Sequence, residues 1–320
     1  MGFQGPASGR DGEKLGVFLI GRKPNSSACS PSAALPAAKI PNMTPQASPN
    51  DSDRVIPREG WHVIHLFFHL DQAQWSLYSD EEKLEAKTHL AELVQEIRST
   101  GSTQLLTFSM VTPKSDVGFM LLTDDLHQAN RFEKQLGRAL GSGILNPVYS
   151  YLSMTELSEY TTTEGQYADD LVRDEGLARD GAEMAAKLEE FRRRMEKYNK
   201  DRLYPNMPDW PVFCFYPMSK RRDGTHNWFH LDFEARRKLM AGHARVGRGY
   251  AGRVRQLITG STGLDEWEWG VTLFSHNTQD IKEIVYEMRF DEVSALYAEF
   301  GDFYIGLQLP LDELFRRVGI

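Results

Sequence analysis

Apolar positions along this chain form two kinds of pattern, short continuous runs and longer stretches at helical spacing, and the two kinds alternate in the same order twice. Residues 61–70 (WHVIHLFFHL) are the first run and read as a buried strand. Residues 79–99 then carry Leu84, Leu90, Leu93 and Ile97 on one stripe, which predicts a helix. Ser79 is a suitable N-cap, and Glu82 three residues later completes a capping box. Asp80 and Glu81 put negative charge in the first turn, and Gly101 stops the helix. Residues 104–111 and 117–122 predict two strands joined as a hairpin. A helix over 124–140 and a strand over 148–154 complete a β-α-β-β-α-β series.

The series recurs after a spacer. A strand over 210–216 precedes a helix over 232–246 with Asp232 as N-cap. Strands follow over 254–260 and 268–274. A helix over 278–289, continuing in a shorter one to Phe300, leads to a last strand over 302–309. Two such units in tandem predict an α+β fold of duplicated ferredoxin-like modules. Each module has a sheet with one open face that needs cover, so the two are expected to pack into a dimeric α+β barrel within one chain. The predicted divisions are an extension (1–56), an N-terminal module (57–160), a charged helical connector (161–201) and a C-terminal module (202–320).

In the connector, Leu177, Met184, Leu188, Phe191 and Met195 recur at helical spacing among Glu and Arg. This predicts a connecting helix with a solvated face, with a coiled-coil partner surface as the alternative. Residues 1–56 are rich in Pro, Ser, Ala and Asn without periodicity, and are expected to be disordered. A start at Met43 would account for most of that extension.

Composition narrows the class. With 41% hydrophobic and 26% charged residues the chain is globular, and its net charge of -8 argues against a general nucleic-acid binder. No apolar run approaches the roughly 18 residues of a membrane span. The apolar run at 15–20 is shorter than the core of about 7–15 residues that an export signal needs, and Gly21, Arg22 and Lys23 end it. Cys29 and Cys214 are too few and too far apart for a disulfide framework or a cysteine zinc site. A reducing, cytoplasmic location is expected.

Charge is uneven, however. Between Arg202 and Gly260 there are eleven Lys or Arg against four acids, a surplus of seven in an acidic chain. That points to an anionic ligand, with scattered solvated charge as the alternative. Four features compete for attention. Gly247, Gly249 and Gly252 spell G-x-G-x-x-G, but the motif follows a helix and opens a strand, the reverse of a dinucleotide site, so the glycines are expected to end the helix and turn the chain. His62, His65 and His69 lie on one strand, where His62 and His65 face opposite sides, which argues against a shared metal. His243 lies on the apolar stripe of its helix with Leu239, Met240 and Val246. It is read either as a satisfied core histidine or as an axial metal ligand. Tyr216 and Lys220 end a strand beside the basic cluster, as a carboxylate-binding pair or a plain strand-end turn.

Several segments carry a resemblance. Tyr216-Pro-Met-Ser-Lys220 with Arg221 and Arg222, then Asn227-Trp228-Phe229, then Arg236 to His243 (RRKLMAGH), closely resemble the coproheme decarboxylases of the chlorite dismutase-like superfamily. Gly249-Tyr-Ala-Gly252, Gln256, Trp267 to Phe274 (WEWGVTLF) and Tyr286 to Ser294 (YEMRFDEVS) do so too. The similarity spans about residues 60–320 and is strongest from Arg202 onward. It implies a duplicated ferredoxin-like barrel, usually a homopentamer, that uses hydrogen peroxide to convert iron coproporphyrin III (coproheme) to heme b. Transient contact with ferrochelatase is implied as well.

By the same resemblance, His243 ligates the iron, Tyr216 becomes the radical that attacks a propionate, and Lys220 serves the second reacting propionate. Arg202, Tyr204, Arg289 and Ser294 hold propionates, Met218 and Trp228 line the pocket, and Gln256 lies on the distal side. True chlorite dismutases have an Arg at that distal position, so Gln256 turns the expectation away from chlorite and general peroxidase chemistry. His230 departs from the family pattern and is read as a surface residue, with a second base as the alternative. A non-catalytic heme carrier or sensor of the same fold is the alternative. An axial His without a carboxylate partner on its other ring nitrogen is expected to be a weak donor.

Overall fold

The computed structural model describes residues 54–320, so all but the last three residues of the predicted extension, including Met43, lie outside the described residues. Among the described residues, nine strands form one antiparallel sheet: β1 (His62–Leu70), β2 (Thr103–Met110), β3 (Val117–Thr123), β4 (Leu145–Thr155), β5 (Val212–Lys220), β6 (Val254–Gly260), β7 (Trp269–Ser275), β8 (Ala298–Phe300) and β9 (Tyr304–Gln308). The order is β7-β6-β4-β1-β3-β2-β9-β5-β8. β5 pairs with β7 as well as with β9, so the series of pairings returns to its start.

Alternation along the strands sorts the side chains onto two faces. One face of every strand in the ring feeds a shared core that includes Phe67, Phe108, Phe213, Phe215, Phe274 and Tyr304. Phe108 and Phe213 stack there at 3.9 Å. Both are fully buried, so Phe213→Ala is expected to cost about 3–5 kcal/mol, checked by denaturant unfolding. On the other face of the first half, α2 (Asp80–Ser99) and α3 (Leu126–Leu136) cover Leu66, Phe119 and Leu121. On the other face of the second half, α6 (Phe233–Gly249) and α7 (Thr278–Met288) cover Cys214, Tyr216, Val271 and Leu273.

The predicted capping box of α2 is present: Ser79 accepts from the Glu82 backbone N–H, and Glu82 accepts from that of Ser79. Its buried stripe is Leu90, Leu93, Val94 and Ile97, while Leu84 is exposed, because the sheet covers only the C-terminal turns. β4 starts at Leu145, three residues before the predicted strand. Pro147 lies opposite Phe68, at a break in register where a missing N–H costs little.

The connector is two helices rather than one, α4 (Glu164–Glu175) and α5 (Ala182–Leu203). Gly176 at φ 71 ends the first in the left-handed region, and Leu171 and Met184 share a small core. The predicted shorter helix is present as α8 (Glu292–Tyr297) and ends early because β8 takes over at Ala298. The elements not foreseen are α1 (Gln72–Ser76), a single turn, the short strand β8 and a C-terminal helix. α9 (Leu311–Val318) buries Leu314 and Phe315 in the first half's core.

Candidate functional site

β5 leaves the shared core with its even-numbered residues turned toward α6 and α7. Tyr216 and Met218 belong to that cluster, and Lys220 follows at the strand end. Tyr216 is buried, stacks on Phe303 at 4.3 Å and meets Phe300 at 5.9 Å. Burial pushes its hydroxyl well above the ordinary phenol range, so the phenol keeps its proton at neutral pH. Arg289, at the end of α7, lies over the Phe300 ring at 3.9 Å. Lys220 is buried too, with its ammonium 4.9 Å from the centre of the Trp228 ring. Burial lowers its pKa to about 8, against the pull of Asp291 and Glu268.

His243 comes from α6, the helix capped by Asp232 as predicted. Leu239 and Met240 of that helix pack with Trp228, Val293 and Tyr297, and Val246 packs with the Tyr216 cluster, so His243 stands between two apolar contacts. Its Nδ1 is 2.8 Å from Asp291 Oδ2. A carboxylate only accepts, so Nδ1 carries the ring proton and Nε2 presents its lone pair. Burial holds the imidazole below its usual pKa despite Asp291, which keeps it neutral and able to bind a metal. Asp291 also caps α8, and its Oδ2 lies 3.4 Å from the Ser294 backbone nitrogen and 3.5 Å from the Ser294 hydroxyl. The carboxylate partner that the sequence left open is therefore present.

Small residues let α6 approach. A Cβ at Gly247 would lie 3.3 Å from Met288 and 3.4 Å from the Gln256 amide. Gln256 donates from Nε2 to the Gly247 carbonyl at 3.1 Å. The rejected dinucleotide motif resolves as expected, with Gly247 and Gly249 ending α6 and Gly252 turning the chain at φ 84.

Not all predicted residues join this cluster. Arg202 donates to the Glu156 carbonyl at 2.6 Å. The Tyr204 hydroxyl accepts the Gly60 N–H at 3.4 Å, and its ring meets Trp61 edge-on. No hydrogen bond, ion pair or ring contact joins either to Tyr216, Lys220 or His243 among the described residues. His230 is exposed. His65 stacks on Phe215 and bonds Thr272 Oγ1 at 2.9 Å, while His69 pairs with Asp116. The described residues hold no group of three metal-ligating side chains.

Five of the eleven cations of the basic segment are held in ion pairs or close to an acid. Arg222 pairs with Glu268, Arg236 with Glu159, Arg237 with Glu234, Arg253 with Asp280 and Glu283, and Arg221 approaches Glu299. Lys220 and Arg289 are the cations beside Tyr216 and Trp228 that have no ion-pair partner within 4 Å among the described residues. The residues therefore suit an iron porphyrin with carboxylate arms. They offer a neutral imidazole held by a carboxylate, an apolar cluster that includes Met218, Val246, Ile258 and Met288, and two cations without an ion pair among the described residues.

Comparison with known proteins agrees in fold. The family model described as chlorite dismutase matches residues 83–309. A heme-binding protein from Thermus thermophilus is 37% identical, with TM-score 0.68, over 82% of this chain and 96% of that one. A mutant chlorite dismutase from Candidatus Nitrospira defluvii is 18% identical, with TM-score 0.62, over 82% and 98% of the two chains. The enzyme from the same source in complex with imidazole is also 18% identical, with TM-score 0.61, over 82% and 97%. These last two establish fold alone.

Proposed function

Because the chain belongs to the chlorite dismutase family, we propose that it binds an iron porphyrin through His243 and, with hydrogen peroxide, decarboxylates two propionates of coproheme to give heme b. The single observation that carries this reading is the grouping of Tyr216, Lys220 and His243 on one side of the sheet, each with the free valence its role requires. The strand order supports duplication. β4-β1-β3-β2 in the first half and β6-β7-β5-β9 in the second follow the same ferredoxin-like pattern, which we read as a dimeric α+β barrel within the chain.

The iron porphyrin, as substrate and its own cofactor, supplies reactivity with peroxide and hence a two-electron oxidant. The protein's part is to hold and to relay. Asp291 fixes the His243 tautomer and makes the imidazole a stronger donor. Tyr216 gives up a hydrogen atom to the oxidant and takes one from the propionate carbon next to the ring. The protein environment keeps its phenol protonated and ready for that exchange. The second oxidising equivalent from the same peroxide then takes an electron from the propionate radical, and the bond to the carboxylate breaks to leave carbon dioxide and the vinyl group. For each propionate, one peroxide and one proton are consumed, and one carbon dioxide, two waters and a vinyl group are formed. Lys220 and Arg289 pair the carboxylates before reaction.

A non-catalytic heme carrier is the second reading, favoured by the description of the Thermus relative as heme-binding. Loading the protein with coproheme and adding peroxide separates the two. Two successive losses of carbon dioxide support the enzyme, and unchanged porphyrin supports the carrier.

Lys220 gives a prediction with a definite sign. Its folded pKa of about 8 lies below the ordinary 10.5. Below about pH 8 both states are protonated, and the folded chain bears the whole cost of burying the ammonium. Between these values the unfolded chain binds more protons, so stability rises with pH. Lys220→Met is expected to stabilise the protein at pH 7 by at most about 3 kcal/mol, with the gain vanishing above roughly pH 10.5, while activity is lost. Unfolding across pH checks this. In wild type, kcat/KM is expected to fall as pH rises through about 8.

A further inference from the structure

The end of β5 has an unusual support. β5 pairs with β7 only as far as Met218 opposite Trp269, so the N–H of Lys220 finds no ladder carbonyl on that side. Glu268, the residue just before β7, takes the place of the ladder. Its Oε2 accepts the Lys220 N–H at 2.8 Å, and its own N–H donates to the Met218 carbonyl at 3.1 Å and to the Ser219 hydroxyl at 3.2 Å. Its Oε1 accepts from the Arg222 guanidinium. The side chain is almost fully buried, so a carboxylate there requires this pairing.

The arrangement separates two tasks that a carboxylate beside a lysine usually confuses. Both Glu268 oxygens are committed, one to the Lys220 backbone and one to Arg222. The Lys220 ammonium is left over the Trp228 ring without an ion pair among the described residues. Arg222 offsets the charge of Glu268, so the clamp does not repel an incoming carboxylate.

We propose that Glu268 is a positioning residue: its carboxylate clamps the end of β5 so that the Lys220 ammonium is presented to a substrate carboxylate, above all the propionate of the second decarboxylation. This rests on the reading of the protein as a coproheme decarboxylase. Gln at 268 keeps an acceptor for the Lys220 N–H but cannot accept from Arg222 with its amide nitrogen, so it rescues in part.

The test is a double-mutant cycle in the full chain with Lys220→Ala, Glu268→Ala, the pair, and Glu268→Gln. Affinity for metal-free coproporphyrin is read by quenching of tryptophan fluorescence, and products after peroxide are read by mass with iron coproporphyrin. Glu268→Ala is expected to bind about tenfold more weakly, as Lys220→Ala does, and the pair no more weakly than either alone. Glu268→Gln should fall between wild type and Glu268→Ala. In the product assay Glu268→Ala should accumulate the singly decarboxylated porphyrin. Additive binding losses, or a product ratio unchanged from wild type, would overturn the proposal. If Glu268→Ala does not fold, Glu268→Gln and Arg222→Ala carry the same cycle against Lys220→Ala. Failure of the functional reading looks different: wild type itself would then release no carbon dioxide, while the binding cycle still reports the clamp.

Discussion

Tyr216→Phe is expected to leave coproheme bound but to slow carbon dioxide release by at least about a thousandfold, equivalent to about 4 kcal/mol in the barrier. The substitution removes one oxygen from a ring packed against Phe303 and Phe300, so shape and apolar contact are retained. The hydroxyl makes no hydrogen bond among the described residues, so its loss leaves no buried partner unsatisfied. Fold, affinity and iron coordination should be those of wild type, which makes the variant a clean probe. Stopped-flow and mass measurements on the loaded variant check this. Normal turnover in Tyr216→Phe would remove the hydrogen-atom relay from the account.

His243→Ala should act on the metal rather than on the ring. Loss of a group that merely supports a ligand costs roughly 10–100-fold in metal affinity, and loss of the ligand itself should cost at least about 100-fold. Metal-free coproporphyrin, which uses only the walls and the cations, should bind the variant about as tightly as wild type. Equal weakening for both porphyrins would show that His243 shapes the pocket instead of holding the iron. Asp291 is then left with a buried carboxylate lacking its imidazole. Some loss of stability is therefore expected alongside, visible as a lower Tm.

What could be read from the sequence depended on how local its cause was. The Ser79 capping box, the Asp232 cap and the turn at Gly252 are decided within a few residues, and the structure has them as expected. His243 lay on the apolar stripe of its helix, but the stripe alone could not separate a core histidine from a ligand. Asp291 and Glu268 received no role in the sequence reading. Each meets its partner, His243 or Lys220, across 48 residues, and only the approach of α8 to α6 and of β7 to β5 brings them together. Asp291 did carry a weak signal, as an N-cap before Glu292, Val293 and Ser294. The basic segment was legible only in part. The sequence shows its surplus of cations but not that Asp280, Glu283, Glu159 and Glu268 neutralise several of them from other elements. Leu84 lies on the predicted stripe yet is exposed, because periodicity fixes a helix face but not how far along the helix the cover extends.

On the proposed function, this chain converts two propionates into vinyl groups with peroxide as oxidant. The most direct measurement is a peroxide titration of the coproheme-loaded protein, followed by porphyrin mass and by carbon dioxide released. Two stepwise losses are expected, one carbon dioxide for each peroxide consumed, ending at heme b. Bleaching or intact coproheme, with no carbon dioxide released, would contradict it.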